Sequence, residues 1–212
     1  MRVAVVGATG AVGGVMRRLL DERSFPADEA VLFASERSAG REVDGRVVQP
    51  LNDDTIGGFD LALFSAGGGT SRVWAPRFAE RGAIVVDNSS AWRMDPDVPL
   101  VVSEVNPEAL DDTRKGIVAN PNCTTMIVML PAKALHDEFG LRAMVATSFQ
   151  AAGGAGQKGI DELAAQVEPL SADVDALVND GARAAGAVRP SVHAKTLAFN
   201  VVPWLGKDAG GG

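Results

Sequence analysis

Short runs of aliphatic and β-branched residues alternate along this chain with longer stretches in which apolar positions recur every three or four residues. The run over 2–6 reads as a buried strand, followed by a glycine-rich turn and a helix over about 11–23. Further strands are predicted over 30–34, 61–65 and 83–87, with a helix near 71–81 between the last two. The run 116–119 leads into a helix from about 124 to 139. Short strands interleaved with helices of ten or more residues predict βαβ units, hence an α/β fold with a mainly parallel, doubly wound sheet. Beyond that point the pattern predicts a longer strand over 142–149 and a helix over 156–168. It then predicts a Pro-containing strand approach around His193 and an apolar stretch over 197–205 that belongs in a sheet. The glycines that close the chain, Ala209-Gly210-Gly211-Gly212, neither cap a helix nor end a strand, so the chain is expected to be cut from a longer one.

Composition narrows the class. With 46% hydrophobic and 22% charged residues the chain is globular rather than disordered or collagen-like. No apolar run approaches the roughly 20 residues of a membrane span, so no membrane partner is expected. The stretch 1–7 is too short for a signal peptide. A single cysteine, Cys123, cannot form an internal disulfide, and a reducing cytoplasm is the expected compartment. A net charge of −7 with scattered acids argues against nucleic acid as a partner. No metal is expected.

The first candidate chemistry sits directly after the first strand. Gly7-Ala8-Thr9-Gly10-Ala11-Val12-Gly13 opens the first helix with GxxGxxG spacing, a variant of the commoner GxGxxG. Glycines there let the backbone turn tightly and approach a pyrophosphate, whose charge meets the free N–H groups of the helix N-terminus. A tight strand–helix turn without a ligand is the alternative. After the second strand comes Ala34-Ser35-Glu36-Arg37-Ser38-Ala39-Gly40. Ser35, Arg37 and Ser38 can surround a 2′-phosphate, which points to NADP, whereas Glu36 can serve the 2′-hydroxyl of NAD. Alternation along an extended chain would turn Glu36 away from its neighbours. A third turn, Ser65-Ala66-Gly67-Gly68-Gly69, follows another strand at the sheet end where ligands bind; a plain flexible loop is its alternative.

The second candidate is the cysteine. Asn120-Pro121-Asn122-Cys123-Thr124-Thr125 precedes the apolar run Met126-Ile127-Val128-Met129-Leu130, which sets Cys123 at or beside a helix N-terminus. The positive end of a helix favours thiolate over thiol, so a nucleophilic cysteine is built in such places. A buried structural thiol is the alternative, but Asn, Pro and Thr make a poor core. Arg93 follows a turn rich in Asn88, Ser89 and Ser90, suited to an oxyanion unless it merely forms a surface ion pair.

These motifs, GATGAVG, ASERSAG, SAGGGTS, VVDNSSAWRMD, NPNCTT and SFQAAGGAGQKGIDEL, together resemble those of bacterial aspartate-β-semialdehyde dehydrogenases, from Met1 to about residue 205. N-acetyl-γ-glutamyl-phosphate reductases share the arrangement but typically carry Gly where this chain has Asn122. The resemblance implies a Rossmann-type NADP-binding domain over 1–122, then over 123–212 the N-terminal part of an α+β substrate-binding and dimerisation domain. It implies NADPH-dependent reductive dephosphorylation of aspartyl phosphate to aspartate semialdehyde, on the route to lysine, threonine and methionine, by a homo-oligomer when full length. Cys123 would form the thioester. Gln150 would position the substrate, and Arg93 and Asn122 would contact the phosphate. Gly7, Thr9, Gly10, Ala11, Val12, Ser35, Arg37, Ser38, Ser65, Ala66, Gly67, Gly153 and Gly154 would line NADP.

One part of the family pattern is missing. The family's acid/base His lies well over a hundred residues beyond its cysteine, after a substrate-binding Arg, and this chain ends 89 residues after Cys123. A phosphate-binding Lys and a C-terminal helix are absent as well. Neither His136 nor His193 matches that His, and both read as structural or solvated. An active enzyme, an inactive nucleotide-binding fragment and a non-enzymatic homologue therefore all remain open.

Overall fold

The computed structural model describes residues 1–204. The predicted strand over 197–205 thus ends one residue outside the described part, and the glycine tail lies wholly outside it. Two compact units divide the chain, Met1–Ser148 and the part from Phe149 onward.

The first unit opens with β1 (Arg2–Val6), α1 (Ala11–Glu22) and β2 (Glu29–Ala34). A hairpin of β3 (Glu42–Val43) and β4 (Arg46–Val47) follows, then β5 (Gln49–Pro50), β6 (Leu61–Phe64), α2 (Gly68–Glu80), β7 (Ile84–Asp87), β8 (Ile117–Ala119) and α3 (Cys123–Phe139). Six strands make one sheet in the order β5-β2-β1-β6-β7-β8, every pairing parallel. The chain starts in the middle, winds out through β2, then returns to lay β6 on the other side of β1. That reversal is the switch point at which open α/β sheets bind ligands.

Period-two alternation sends each strand's side chains to two separate cores. Ala4 and Val6 of β1 and Phe33 of β2 face a cluster with Phe64, Phe78 and Ile117, while Val5, Leu32 and Ala34 face one completed by Met16 and Leu20 of α1. Phe78 meets Phe33 and Phe64 edge-on, with centroids 5.9 and 5.4 Å apart. Burial on both faces holds the strand ends in fixed register, Val6 opposite Phe33 and Phe64.

The second unit contains α4 (Gln157–Ser171), α5 (Val174–Asn179) and α6 (Gly181–Gly186), around a small core of Leu170, Ala176, Ala184 and Ala198. One face of α4 holds an irregular segment in place of a partner strand. The Glu162 carboxylate accepts from the backbone N–H groups of Ser191, Val192 and His193 and from the Ser191 hydroxyl. One turn on, buried Gln166 accepts from Leu197 and Ala198 N–H at 2.9 and 3.0 Å.

Three expectations fail here. Residues 142–149 are not a strand, and neither the approach to His193 nor residues 197–204 belong to a sheet. A strand exists only where a neighbour takes its N–H and C=O groups. No second-unit strand is present among the described residues, and side chains of α4 accept instead from the N–H groups of Ser191, Val192, His193, Leu197 and Ala198. Val145 is fully exposed accordingly.

This clasp has a pH signature. Burial alone would raise the Glu162 carboxyl, but the donors from His193, Ser191 and Val192 outweigh it and hold the pKa at about 2 instead of 4.5. A depressed folded pKa contributes stability that is present above about pH 4.5 and lost as pH falls towards 2. The second unit should therefore lose helical far-ultraviolet circular dichroism and melt earlier between pH 4.5 and 2. Glu162→Gln should flatten the melting temperature across that window; an unchanged acid slope in the variant would sink the assignment.

Candidate active site

The loop leaving β1 is stitched to its neighbours by main-chain bonds. Gly7 and Ala8 both donate to the Phe33 carbonyl, at 2.9 and 3.0 Å, and Gly7 sits at φ +89°. A Cβ at Gly7 would lie 2.3 Å from the Ser65 carbonyl oxygen, and one at Gly13 would lie 2.2 Å from that of Gly7. Neither position has room for any other residue. Gly10 caps α1 without a side chain, and the N–H groups of Thr9, Ala11 and Val12 donate to nothing among the described residues. Free donors at a helix N-terminus beside a glycine turn fit a pyrophosphate.

A cleft of about 350 Å³ opens there, lined by Gly7 and Thr9 after β1, Ser35 and Glu36 after β2, and Ala66, Thr70 and Trp74 on the β6 side. Ser65 and Gly67, the latter at φ +79°, flank Ala66 in the turn before α2. Thr70 and Trp74, one helical turn apart, escaped the sequence reading, although the i, i+4 spacing after a glycine turn is their signal. Arg37 and Ser38 are not among the lining residues. The segment Glu36–Ser38 is a single 3₁₀ turn, so side chains do not alternate there, and Glu36 lines the cleft instead of turning away from it. Arg37 is exposed and makes no hydrogen bond or ion pair among the described residues.

The cysteine is placed by the ends of β7 and β8. Buried Asp87 accepts from the Ser89 hydroxyl at 2.6 Å, and its carbonyl takes the Asn120 N–H at 2.8 Å. Asn120 in turn donates to the Asn88 side chain at 2.8 Å. Arg93, half-buried, donates from Nε to the Asn120 carbonyl at 2.9 Å and from a terminal nitrogen to that of Asn88 at 3.2 Å. No carboxylate pairs with it among the described residues, so its remaining N–H groups are available to an anion. Three residues after Asn120, Cys123 is the first residue of α3, free and exposed, and Asn122 caps the helix by accepting from Thr124 N–H at 2.9 Å. Cys123 is thus not part of either core of the first unit. Asn88 and Asn120 were not singled out as site residues; what marks them is the turn chemistry on either side of Arg93 and Cys123.

Gln150, Gly153 and Gly154 belong to the second unit. Gln150 lines a cavity of about 510 Å³ with Ser191, His193 and Leu197. Its side chain rests on Gly154, where a Cβ would lie 1.8 Å from Nε2, and Gly153 is in the same 3₁₀ turn, Ala152–Ala155. His193 Nε2 lies within hydrogen-bond distance of the Gly159 carbonyl oxygen, at 3.2 Å, and His136 is exposed on α3.

A parallel switch-point sheet, a glycine turn without room for side chains and a helix-start cysteine invite comparison with known proteins. A family model described as the NAD binding domain of semialdehyde dehydrogenase matches residues 2–113, and one described as its dimerisation domain matches 132–211. The chain belongs to the semialdehyde dehydrogenase family. The aspartate-semialdehyde dehydrogenase of Streptomyces akiyoshiensis is 53% identical over 206 residues, 97% of this chain and 61% of that protein. The crystal structure of aspartate semialdehyde dehydrogenase II complexed with ASA from Vibrio cholerae matches with a TM-score of 0.83 at 41% identity, over 97% of this chain and 59% of that one. The Candida albicans aspartate semialdehyde dehydrogenase with NADP matches with a TM-score of 0.52 at 28% identity, over 66% and 48%. The chain thus spans about three-fifths of the length of the Streptomyces and Vibrio relatives. No helix among its described residues is long and apolar enough to cross a membrane.

Two measurements check the cysteine's setting. Iodoacetamide should alkylate Cys123 in the folded protein; labelling that requires denaturant would contradict its exposure. Asn122→Ala removes the cap of α3 and should lower stability by about 1 kcal/mol, read from the denaturation midpoint. An unmoved midpoint would mean that the cap contributes nothing.

Proposed function

We propose that the full-length protein reduces L-aspartyl-4-phosphate to L-aspartate-4-semialdehyde with NADPH, through a thioester on Cys123, and that this chain carries its nucleotide site and its nucleophile. The observation that carries the reading is the exposed thiol at the capped start of α3, three residues from the carbonyl that holds Arg93. The names of the relatives and their agreement over nearly the whole chain support it.

In this reading the helix start and the polar turn favour the Cys123 thiolate, which attacks the acyl carbonyl. The carbon–sulfur bond forms, the carbon–oxygen bond to phosphate breaks, and inorganic phosphate leaves against Arg93 and Asn122. Arg93 suits this because two backbone carbonyls already orient its guanidinium. Gln150 holds the substrate for attack. The nicotinamide, when bound, supplies hydride to the acyl carbon. Collapse then frees the aldehyde and returns the thiolate.

Gly7, Thr9, Gly10, Ala11, Val12, Ser65, Ala66 and Gly67 would hold the dinucleotide; for Gly153 and Gly154 the family resemblance alone implies that role. The free donors at Thr9, Ala11 and Val12 and the two glycines without space for a Cβ fit that group. Preference for NADP rests on Ser35, Arg37 and Ser38, and the NADP of the Candida relative supports it. Glu36 in the cleft lining is the observation that favours NAD instead. We further assign 1–122 to the nucleotide domain and 123–212 to the start of the substrate and dimerisation domain, in a cytoplasmic homo-oligomer. The dimerisation-domain match supports that assembly.

A titration decides the cofactor. Arg37→Ala should weaken NADPH by at least about tenfold, since charge-assisted bonds contribute about 1.5–3 kcal/mol, and leave NADH nearly unchanged. Equal losses would assign the pocket to Glu36. Cys123→Ser in the full-length enzyme should abolish phosphate-dependent turnover while NADPH binding stays intact; residual turnover would sink the thioester.

A further inference from the structure

The peptide joining Ala8 to Thr9 lies in the middle of the nucleotide loop, and one side chain sets its orientation. Arg17, on the second turn of α1, donates from Nε to the Ala8 carbonyl at 3.0 Å. Its Nη1 pairs with Asp44 at the tip of the β3–β4 hairpin. The Arg17 side chain is only 13% exposed, against 51% for Asp44. Its neighbour Arg18 is 64% exposed in a surface pair with Glu22, so the burial of Arg17 is particular to its place.

The geometry of a trans peptide gives this contact a consequence. Carbonyl and following N–H point to opposite sides, so a carbonyl of Ala8 turned to Arg17 turns the Thr9 N–H away from it. That N–H has no acceptor among the described residues, while its neighbours on either side, Ala8 N–H and Gly10 N–H, are taken by Phe33 and Gly7 carbonyls. Without Arg17 the Ala8 carbonyl has no protein donor, and the peptide can rotate to exchange one orientation for the other.

The hairpin makes the anchor stiff. Asp44 at φ +51° and Gly45 at φ +71° form its tight turn, and Val43 packs on the core that contains Ala8. Arg46 pairs back to Asp21 of α1 at 3.2 Å, so helix and hairpin exchange charges in both directions. A guanidinium can span two acceptors in this way, whereas an ammonium of similar reach serves one at a time.

We propose that Arg17 is a positioning residue of the nucleotide site, which holds the Ala8 carbonyl so that the Thr9 N–H is presented to the pyrophosphate of the dinucleotide. Asp44 steadies it from the hairpin. This rests on the dinucleotide reading given above. Because Asp44 largely offsets its charge, Arg17 acts through orientation of one peptide, and its effect is confined to ligands that carry a pyrophosphate.

The test compares two ligands by fluorescence or calorimetric titration. NADPH contains the pyrophosphate; adenosine 2′-monophosphate carries the 2′-phosphate but no pyrophosphate. Arg17→Met, which keeps the aliphatic stem, should weaken NADPH about tenfold, the equivalent of 1.4 kcal/mol, and leave adenosine 2′-monophosphate unchanged. In two-dimensional amide NMR, NADPH should displace the Thr9 resonance strongly in the wild type and weakly in the variant. A variant that binds NADPH like the wild type, or loses both ligands alike as a merely loosened loop would, overturns the proposal while the dinucleotide reading stands. A wild-type chain that binds neither ligand overturns that reading and the proposal with it. Should Arg17→Met fail to fold, Asp44→Asn on the exposed hairpin tip should show the same selectivity at about threefold, the scale of a surface ion pair; loss of both ligands, or of neither, is again fatal.

Discussion

The close approach of two loops at the centre of the sheet governs what surrounds it. Because β1 and β6 are paired in register with hydrophobic cores on both faces, the chain leaves both strands at the same level, and Gly7 must pass the Ser65 carbonyl at a distance that admits no Cβ. Any side chain at Gly7 would push the loops apart, and the sheet could not yield without uncovering the Phe33–Phe64–Phe78 cluster. The position of Gly13 against the Gly7 carbonyl extends the same constraint into α1. A cleft with free backbone donors is what this leaves at the switch point.

The thiol turn is built on a different principle. No close packing of backbones is required; instead, polar side chains and carbonyls at the ends of β7 and β8 bind each other in series. Asp87 sets the Asn88–Ser89 turn, Asn88 and Asn120 meet across it, and Arg93 closes the ring on their carbonyls. Hydrogen-bonded networks of this kind are sensitive to the loss of any member, since each remaining polar group is then left half-satisfied. The nucleophile's position therefore depends on residues that never touch it.

Five of the six strands of the parallel sheet were legible; the two-residue edge strand β5 was not predicted. Strand β1 spans the predicted residues, and α1, β2, β6, β7, β8 and α3 each differ from prediction by one residue at one end, because buried parallel strands read as unbroken apolar runs and the glycine turns punctuate them; α2 starts three residues before its predicted start. The glycine and cysteine motifs were legible for the same local reason. Orientation within the Glu36–Ser38 turn was not, since alternation presumes extended backbone and this segment coils into 3₁₀. The strands expected over 142–149 and 197–205 failed on a non-local condition: β-branched composition marks the capacity to pair, whereas pairing needs a neighbour that lies elsewhere in sequence. For Arg17, composition shows a charged helix residue; that it reaches back nine positions to a loop carbonyl emerges only from the fold.

The contacts that shape the nucleotide cleft and those that place the thiol all lie within the first unit. The Gly7 turn is fixed by β2, β6 and α1, and Cys123 by the turns after β7 and β8 together with the Asn122 cap. Within the second unit, Glu162 and Gln166 of α4 accept from that unit's own backbone N–H groups. Yet α3, which begins with the thiol, leaves Ile127 and Phe139 about three-quarters exposed, and the residues after it expose Val145 and Phe149. Apolar surface of this extent on a helix and the segment that follows it is unusual for a finished exterior. The start of α3 is thus locally determined while its flank is open. The position of the thiol is set by its own turn and by the Asn122 cap.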